Sequence, residues 1–416
     1  MSTRARPNRF RPTTTAATAA AVAAALLVLA AASAACAWLG GDGGDAGPAA
    51  GVRQRWRQPQ EGAADARPAV LGDAVVFATG DGYLVSRDRA TGAARWATRV
   101  HDRPIAGANV VAGGGVVAVA ADYHTAGVDA ATGRLLWSYT APADSVDRPD
   151  AAPGYVAAAR LDADDSTVYV PAWGASVSAV DARTGAARWS WRTAPSVRHR
   201  SGSSGVRVAG DAVYATVWHF LNATGTESEA WVLALDRRTG RELWRVTLPT
   251  RSEGVMTSAQ PAVWENLVIV NTVTGDVYAL ERGSGRVAWH VPQEQPDAGQ
   301  LFNAVVTSPA LRDGIVYADG GTGYLRAFRA ADGTPVWRVR YGAQMTRDLL
   351  VTDRRIYGVS GLLHVFDRRS GSPLVQMEEP GVPVLQRLFS SAPAAAEPAG
   401  ELFISMTGAA WSFQEP

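Results

Sequence analysis

A nine-residue stretch recurs along this chain, and its first copy reads Asp88-Arg89-Ala90-Thr91-Gly92-Ala93-Ala94-Arg95-Trp96. An acidic residue is followed by two variable positions, Thr-Gly, three variable positions and Trp; we call this stretch the repeat phrase. Copies that match closely end at Trp137, Trp189 and Trp244, and weaker copies end at Trp289, Trp337 and Val375. Recurrence at intervals of about 40 to 55 residues indicates a repeat architecture, which has to be settled before any local pattern is interpreted.

Short runs of β-forming residues precede each copy of the phrase. One run is Glu265-Asn-Leu-Val-Ile-Val270, which a Gly-containing break separates from Val277-Tyr-Ala-Leu280. Pairs of this kind predict β-hairpins. Within the phrase, the Asp and Thr side chains can hydrogen-bond the turn backbone, and the Gly accepts a positive φ. The Trp then begins an outer strand, where its ring can pack against the neighbouring repeat.

A hairpin followed by an outer strand in each repeat predicts an all-β protein, a β-propeller of four-stranded blades. The phrase tryptophans are then structural docking residues between blades, with a sugar-binding or cofactor role as the alternative. The tryptophans predicted to dock the blades are Trp96, Trp137, Trp189, Trp244, Trp289 and Trp337.

The two ends of the repeat region complement each other. Residues 401–413 form a hairpin pattern with no phrase after it, and the segment around Trp56 is an outer strand with no hairpin before it. We therefore predict that the N-terminal strand closes the last blade, which leaves no sheet edge open. Seven phrases and one split blade make eight blades. Residues 51–416 then supply about 46 residues per blade, which lies within the range of propeller repeats.

The region before the repeats carries the pattern of an export segment. Residues 1–15 form a basic leader, residues 16–36 form an apolar signal or membrane-anchor segment, and residues 37–50 form a Gly-rich linker to the propeller at 51–416. A basic leader followed by an apolar stretch is typical of a signal peptide, and its length also permits an N-terminal anchor. Each alternative places the propeller outside the cytoplasmic membrane, either attached to it or secreted.

The only cysteine of the chain, Cys36, stands where the apolar stretch ends. A cysteine at this place, preceded by Ala34 and Ala35, fits the lipidated residue of a bacterial lipoprotein, although Ser33 stands where Leu is usual. An ordinary signal-peptidase site or an uncleaved anchor is the alternative. The single cysteine excludes an intrachain disulfide. The formal net charge of +1 gives no long-range attraction to nucleic acid.

The repeat phrase, the Val-Tyr-Ala-Leu type of strand and the eightfold count resemble the PQQ-like repeat propellers over residues 51–416. That superfamily includes quinoprotein alcohol dehydrogenases and BamB-like lipoproteins of outer-membrane assembly. The enzymes are implied to need a vicinal disulfide against the quinone, a calcium site and an acidic base. With one cysteine the disulfide cannot form, and carboxylates such as Asp144, Asp147, Asp150 and Glu253 match no motif of those enzymes. We therefore expect no cofactor, with PQQ as the alternative.

No metal site is predicted either. His199 and His219 fall in one predicted blade and could form a metal pair, but two surface histidines are the simpler interpretation. Asp162, Asp164 and Asp165 lead into a strand without the Gly and distal Glu of an EF-hand, so a turn is predicted there rather than a calcium loop.

Arginine recurs where the outer strand of one blade connects to the inner strand of the next. These residues, with an aromatic residue on a neighbouring loop, form a predicted partner-binding rim; they are Arg103, Arg148, Arg200, Arg251, Arg347, Arg387 and Trp173. Guanidinium groups at one mouth of the channel could bind carboxylates, phosphates or a peptide backbone. Local salt bridges with neighbouring carboxylates at a solvated surface are the alternative.

These features favour a monomeric, non-catalytic, membrane-associated propeller that binds a protein or peptide partner as a scaffold, as the BamB-like resemblance implies. A quinoprotein enzyme and an extracytoplasmic ligand sensor are the alternatives. Addition of quinone and calcium would distinguish the enzyme from the scaffold, because only the enzyme would bind the chromophore.

Overall fold

The computed structural model shows most of the repeat region. The residues that it describes are 52–60, 64–102, 108–121, 124–142, 160–172, 175–193, 201–220, 228–248, 260–272, 275–293, 307–319, 323–341, 348–359, 363–374, 394–396, 399–406 and 408–416. The predicted leader, the signal or anchor segment with Cys36, and the Gly-rich linker lie outside these residues. No helix capable of spanning a bilayer occurs in the described ranges.

All regular elements in the described part of the chain are β-strands. The first sixteen are β1 (Arg53–Gln60), β2 (Ala64–Leu71), β3 (Ala74–Thr79), β4 (Tyr83–Asp88), β5 (Ala94–Arg99), β6 (Ala108–Asn109), β7 (Val111–Gly113), β8 (Val116–Ala121), β9 (His124–Asp129), β10 (Leu135–Thr140), β11 (Asp162–Ala163), β12 (Thr167–Ala172), β13 (Ser176–Asp181), β14 (Ala187–Arg192), β15 (Ser201–Ala209) and β16 (Ala212–Phe220). The others are β17 (Ser228–Asp236), β18 (Glu242–Leu248), β19 (Ala262–Trp264), β20 (Leu267–Asn271), β21 (Val277–Glu281), β22 (Val287–Val291), β23 (Ala310–Arg312), β24 (Ile315–Asp319), β25 (Tyr324–Arg329), β26 (Pro335–Arg340), β27 (Leu350–Val351), β28 (Arg355–Val359), β29 (Leu363–Asp367), β30 (Ala394–Ala396), β31 (Glu401–Met406) and β32 (Gly408–Gln414).

The strands form eight antiparallel sheets, which are the blades of the predicted propeller. Blades 1 to 6 are β2–β5, β7–β10, β11–β14, β15–β18, β19–β22 and β23–β26. Blade 7 contains β27–β29, and a bridge between Phe366 and Pro373 begins its fourth strand. Strand β6 pairs in parallel with β2 and so joins blade 2 to blade 1. The prediction of an eight-bladed, all-β propeller is confirmed.

Blade 8 is built from both ends of the repeat region, in the order β30-β31-β32-β1. Strand β1 pairs antiparallel with β32, from Arg53 opposite Gln414 to Gln60 opposite Gly408. Trp56 lies in β1 with 6% of its surface exposed, and its ring is 6.1 Å from that of Phe403. The predicted closure by the N-terminal strand is therefore confirmed.

The chain direction gives the propeller two different faces. In each blade the turn between the first two strands and the repeat phrase between the last two lie at the same end of the sheet; we call this end the phrase face. The other end carries the loop between the two middle strands and the connection to the next blade, and we call it the connection face. Most segments of the connection face lie outside the described residues.

The hydrophobic core lies between adjacent blades. The two middle strands of each blade are the most buried; in β8, for example, every residue from Val116 to Ala121 is buried. Side chains of consecutive blades share one cluster, as Tyr169 and Trp189 of blade 3 do with Val213 and Leu233 of blade 4. Each blade depends on its neighbours for burial, so the ring is stable only when it is closed.

Candidate functional site

The repeat phrase folds as a turn that its own side chains stabilise. The Asp88 carboxylate accepts hydrogen bonds from the Thr91 backbone N–H at 2.9 Å and from the Thr91 hydroxyl at 2.8 Å. The Gly92 N–H donates to the Asp88 carbonyl at 2.8 Å, and Gly92 has a φ of 72°. The same bonds occur in the phrases that begin at Asp129, Asp181, Asp236 and Asp367. The turn is therefore stabilised by hydrogen bonds between residues that are close in the sequence.

The phrase tryptophans contact the next blade. Each donates its indole N–H to the carbonyl of the second residue of the following phrase; the pairs are Trp96–Ala130, Trp137–Ala182, Trp189–Arg237, Trp244–Arg282, Trp289–Ala330 and Trp337–Arg368, at 2.7–3.3 Å. Trp56 makes the equivalent bond to Arg89 at 2.9 Å. A Cβ on the Gly of each following phrase would lie only 2.5–2.8 Å from the Trp. Glycine is thus needed for close packing as well as for its φ.

The junction between blades 7 and 8 is built differently. In blade 8, strand β32 leads into Glu415, whose N–H donates to the Gly400 carbonyl at 2.8 Å. Here the buried Glu415 carboxylate accepts hydrogen bonds from Tyr357 at 2.7 Å and from Thr352 at 2.9 Å. Burial, together with the Glu415 carboxylate, raises the pKa of Tyr357. No repeat phrase marks this position, so the repeat pattern did not predict Glu415.

Stability should fall in acid because the phrase carboxylates have lowered pKa values. Hydrogen bonds from Arg188 and Thr184 lower the pKa of Asp181, and those from Thr132 lower the pKa of Asp129. A carboxylate whose pKa is lower in the folded state than in the unfolded state stabilises the fold above the unfolded pKa of about 4. This stabilisation is lost as the pH falls from there through the folded-state pKa. We expect the unfolding free energy to decrease below pH ~4 in urea titrations. Asp181→Asn should show a smaller decrease; an unchanged pH dependence would contradict this role.

The predicted arginine rim lies outside the described residues. This holds for all seven of its members: Arg103, Arg148, Arg200, Arg251, Arg347, Arg387 and Trp173. The strands that flank these segments end at the connection face, as the chain direction requires. Of the histidine pair, His199 also lies outside. The predicted turn at Asp164 is present, and its carboxylate binds the Ser166 and Thr167 N–H groups and the Tyr169 hydroxyl.

The central channel contains a ring of equivalent residues that sequence reasoning missed. In each of blades 1 to 7, one residue of the inner strand pairs with the third residue of the second strand, as Asp162 does with Tyr169. The residue two positions before it faces the neighbouring blade. We call these residues the channel girdle: Arg67, Asn109, Arg160, Gly205, Gln260, Ser308 and Asp348. Six of the seven are polar. A Cβ at Gly205 would lie 2.7 Å from the Cα of Gln260, so this position requires glycine.

Hydrogen bonds join the girdle from blade 1 to blade 7. The Val110 N–H donates to Arg67, and the Val206 N–H donates to Arg160, at 2.9 and 3.1 Å. Side chains take part in the other bonds. The Asn109 amide bonds to both the N–H and the carbonyl of Leu161, and the Gln260 amide donates to the Val206 carbonyl at 2.6 Å. The Gln260 N–H donates to the Ser308 hydroxyl at 3.0 Å, and the Ser308 N–H donates to the Asp348 carboxylate at 2.6 Å. The inner strands are thereby tied together around the channel.

An ion pair crosses the channel at the level of the girdle. Arg160 of blade 3 lies 2.8 Å from the Asp348 carboxylate of blade 7, and it also donates to the Ser308 hydroxyl. Blades 3 and 7 are opposite one another in an eight-membered ring. The two side chains are 13% and 19% exposed. Either charge would be strongly destabilising at this degree of burial without its partner. The pair therefore holds the inner strands of blades 3 and 7 in a fixed arrangement, unlike an exposed salt bridge.

A second carboxylate, that of Asp162, lies two residues after Arg160 in the sequence. Asp162 accepts a hydrogen bond from the Val208 N–H at 2.8 Å, and its carboxylate lies 3.6 Å from the Arg207 guanidinium. Burial raises the pKa of Asp162, and the charge of Arg207 opposes this effect. Asp162 and Asp348 are therefore each next to an arginine. No group of three or more His, Cys, Asp and Glu side chains that could hold a metal occurs among the residues described.

Comparison with known proteins gives matches to two kinds of propeller. The sequence profile of the family described as outer membrane protein assembly factor BamB matches residues 48–219, 157–377 and 300–407. A BamB of Moranella endobia (strain PCIT) is 30% identical over 120 residues, which cover 27% of this chain and 29% of that protein. Quinohemoprotein alcohol dehydrogenase ADH IIB of Pseudomonas putida is 27% identical over 124 residues, which cover 27% and 18%. The chain thus spans less than a third of either relative.

A longer match, with BamB of Burkholderia pseudomallei (strain K96243), is 24% identical over 351 residues and covers 80% of this chain and 82% of that protein. Among solved structures, BamB from Moraxella catarrhalis aligns with a TM-score of 0.61 and 16% identity, over 87% of this chain and 99% of that one. Quinohemoprotein alcohol dehydrogenase from Comamonas testosteroni aligns with a TM-score of 0.65 and 13% identity, over 90% and 78%. At these identities the structures show the fold alone. The profile, by contrast, covers most of the sequence, and the chain belongs to the PQQ-like repeat propeller family described as outer membrane protein assembly factor BamB.

Proposed function

We propose that this protein is a non-catalytic, extracytoplasmic propeller that binds a protein partner at its connection face and acts as an assembly scaffold at the cell envelope. The observation that carries the proposal is the agreement in extent with the BamB relatives. The BamB family profile matches residues 48–219, 157–377 and 300–407, and the alignment with the Burkholderia BamB covers 80% of this chain and 82% of that protein. The relatives are named for outer-membrane assembly, and only the scaffold role is proposed for this chain.

The described residues do not fit the quinone site that the enzymatic relatives imply. Such a site is implied to use a vicinal disulfide, and this chain has only Cys36. The channel carboxylates Asp162 and Asp348 are placed beside Arg207 and Arg160, at 3.6 and 2.8 Å, instead of being grouped with one another. The carboxylates Asp144, Asp147, Asp150 and Glu253 lie outside the described residues. These points support a binding role over quinone-dependent oxidation.

The rim arginines supply the first test of this scaffold role. We expect the triple variant Arg200→Ala, Arg251→Ala and Arg347→Ala to fold normally, because exposed ion pairs contribute only about 0–1 kcal/mol each. It should lose recovery of envelope partners in affinity capture at physiological salt. The matched control replaces Arg134, Arg183 and Arg241, which are exposed on the phrase face; it should retain the partners. Equal recovery by both triple variants would show that the rim is ordinary solvated surface.

Membrane attachment through Cys36 is a separate prediction. If Cys36 is lipidated, the mature chain begins at this residue and partitions into the detergent phase of a phase-separation assay. Cys36→Ser should then block processing or release the protein. Mass spectrometry of the mature N-terminus decides between the alternatives, because a start at Ala35 or an intact leader would exclude lipidation.

A further inference from the structure

A cavity lies beside the channel girdle, on its phrase-face side. Each inner strand runs toward the phrase face, so Gln260, Ser308 and Asp348 lie deeper in the channel than Val263 and Leu311. Between these two levels is a cavity of about 470 Å³. Four girdle residues, Arg67, Gln260, Ser308 and Asp348, line one end of it. We call this cavity the phrase-face vestibule.

The vestibule combines apolar walls with guanidinium groups. Its walls include Val263, Leu311 and Val351, and both Arg67 and Arg207 line it. The Arg207 side chain is 39% exposed; its Nε donates to the Pro261 carbonyl at 3.3 Å, and one terminal nitrogen lies 3.6 Å from the Asp162 carboxylate, which leaves the other terminal nitrogen for a second carboxylate. Asp348, the carboxylate among the lining residues, is paired with Arg160 at 2.8 Å. A guest with an apolar body and one carboxylate would therefore find complementary surfaces.

The backbone of the walls favours a peptide as this guest. Strands β19 and β23 are the inner edges of blades 5 and 6, so one side of each is not paired within its sheet. An extended peptide can hydrogen-bond to such an edge. Each of these edges is three residues long, which corresponds to about 10 Å of extended chain. At the girdle end, the Arg160–Asp348 ion pair and the Gln260–Ser308 hydrogen bond cross the space, so a chain end fits there better than a continuing chain.

We propose that the phrase-face vestibule binds the carboxyl-terminal end of an apolar peptide, with Arg207 facing the terminal carboxylate. This site goes beyond the proposed function, since it lies on the face opposite the arginine rim. A scaffold with such a site would hold two chains at once, one at each face. The rim variants should leave peptide binding unchanged, so failure of either proposal can be recognised independently of the other.

The test measures binding of a library of fluorescein-labelled heptapeptides to the purified protein by fluorescence anisotropy, each peptide as the free acid and as the C-terminal amide. We expect apolar free acids to bind at least about tenfold more tightly than their amides, the effect of one charge-assisted contact. Arg207→Gln should reduce that preference, and Arg134→Gln, on the exposed phrase-face surface, should not. Equal binding of acids and amides, or no binding by any peptide, would overturn the proposal.

A second variant keeps the test decisive if Arg207→Gln fails to fold. Leu311→Trp adds volume to the cavity wall and should abolish peptide binding while the thermal unfolding midpoint is retained. Its control is Val336→Trp, at a position that is 44% exposed on an outer strand, and this variant should bind normally. Octanoate serves as a competitor. Displacement of the peptides by octanoate at equal concentration would show that the site takes small carboxylic acids and would overturn the peptide assignment.

Discussion

Deletion of residues 51–60 is expected to open the propeller ring and leave the protein insoluble or strongly destabilised. The deletion removes β1, whose Trp56 is buried against Phe403 and bonded to Arg89 in blade 1. Loss of a buried aromatic side chain alone costs about 3–5 kcal/mol, which is a large part of a total stability of about 5–15 kcal/mol. We expect a fall in the thermal unfolding midpoint of about 10 °C or more.

The deletion would also expose the edge of β32, which pairs with β1 along most of its length. An open strand edge promotes association between molecules. Size-exclusion chromatography should therefore show aggregates. The matched control deletes the ten residues 37–46 from the predicted linker and should leave the unfolding midpoint unchanged. A 51–60 deletion that remained monomeric, with the parental midpoint, would contradict the closure of the ring by β1.

Trp137→Ala is expected to destabilise the protein by about 3–5 kcal/mol, the usual cost of truncating a buried aromatic side chain. The Trp137 ring is 6% exposed, and it donates a 2.7 Å hydrogen bond to the Ala182 carbonyl of blade 3. It also covers Gly185, whose Cβ position would lie 2.5 Å from the Trp137 Cβ atom. The substitution therefore leaves a cavity between two blades and an unpaired carbonyl group. Urea unfolding followed by tryptophan fluorescence measures the difference.

Leu135→Ala is the matched control for this variant. Leu135 begins the same strand but is 45% exposed, so its truncation should change the unfolding free energy by no more than about 0.5 kcal/mol. Partner capture should be retained by any Trp137 variant that is still folded. A variant that kept its stability but lost a partner would place Trp137 in a binding site, and the docking interpretation would then be wrong.

The fold could be predicted from the sequence because its determinants are local and repeated. Asp88, Thr91 and Gly92 form their turn through contacts within five residues, and the same pattern recurs in the copies that begin at Asp129, Asp181, Asp236 and Asp367. The closing strand could be predicted for a related reason. A hairpin that lacks an outer strand and an outer strand that lacks a hairpin can complete each other only in a ring.

The channel girdle could not be predicted in this way because its bonds join residues far apart in sequence. Arg160 and Asp348 are separated by 188 positions and meet only when blades 3 and 7 face one another. The side chains at the equivalent positions also differ in chemistry, so no single residue type recurs. A weak signal does exist: Arg67, Gln260 and Ser308 are each followed by Pro-Ala and an apolar residue. Glu415 had no such signal, because it does not stand in a copy of the repeat phrase.

The phrase face and the connection face of the propeller differ in the segments that they carry. At the phrase face, the carboxylates of the repeat phrases are bonded to the turns themselves, and Asp88 and Asp181 are paired with Arg95 and Arg188. Their charges contribute to the turns and are partly neutralised. The connection face carries the longer loops, where partner contacts are commonly located in proteins built on a rigid scaffold. The partner of the proposed scaffold is therefore expected at the connection face.

Site-specific photocrosslinking in intact cells of the source organism tests this assignment most directly. A benzophenone amino acid replaces Trp173, Ala223 or Ser252 on connection-face segments, and Ala90, Ala131 or Arg238 on the phrase face. We expect the connection-face positions to give covalent adducts with the same envelope protein, and the phrase-face positions to give none with that protein. Adducts of that protein from the phrase face alone, or no adduct from any connection-face position, would contradict a scaffold that binds its partner through the connection face.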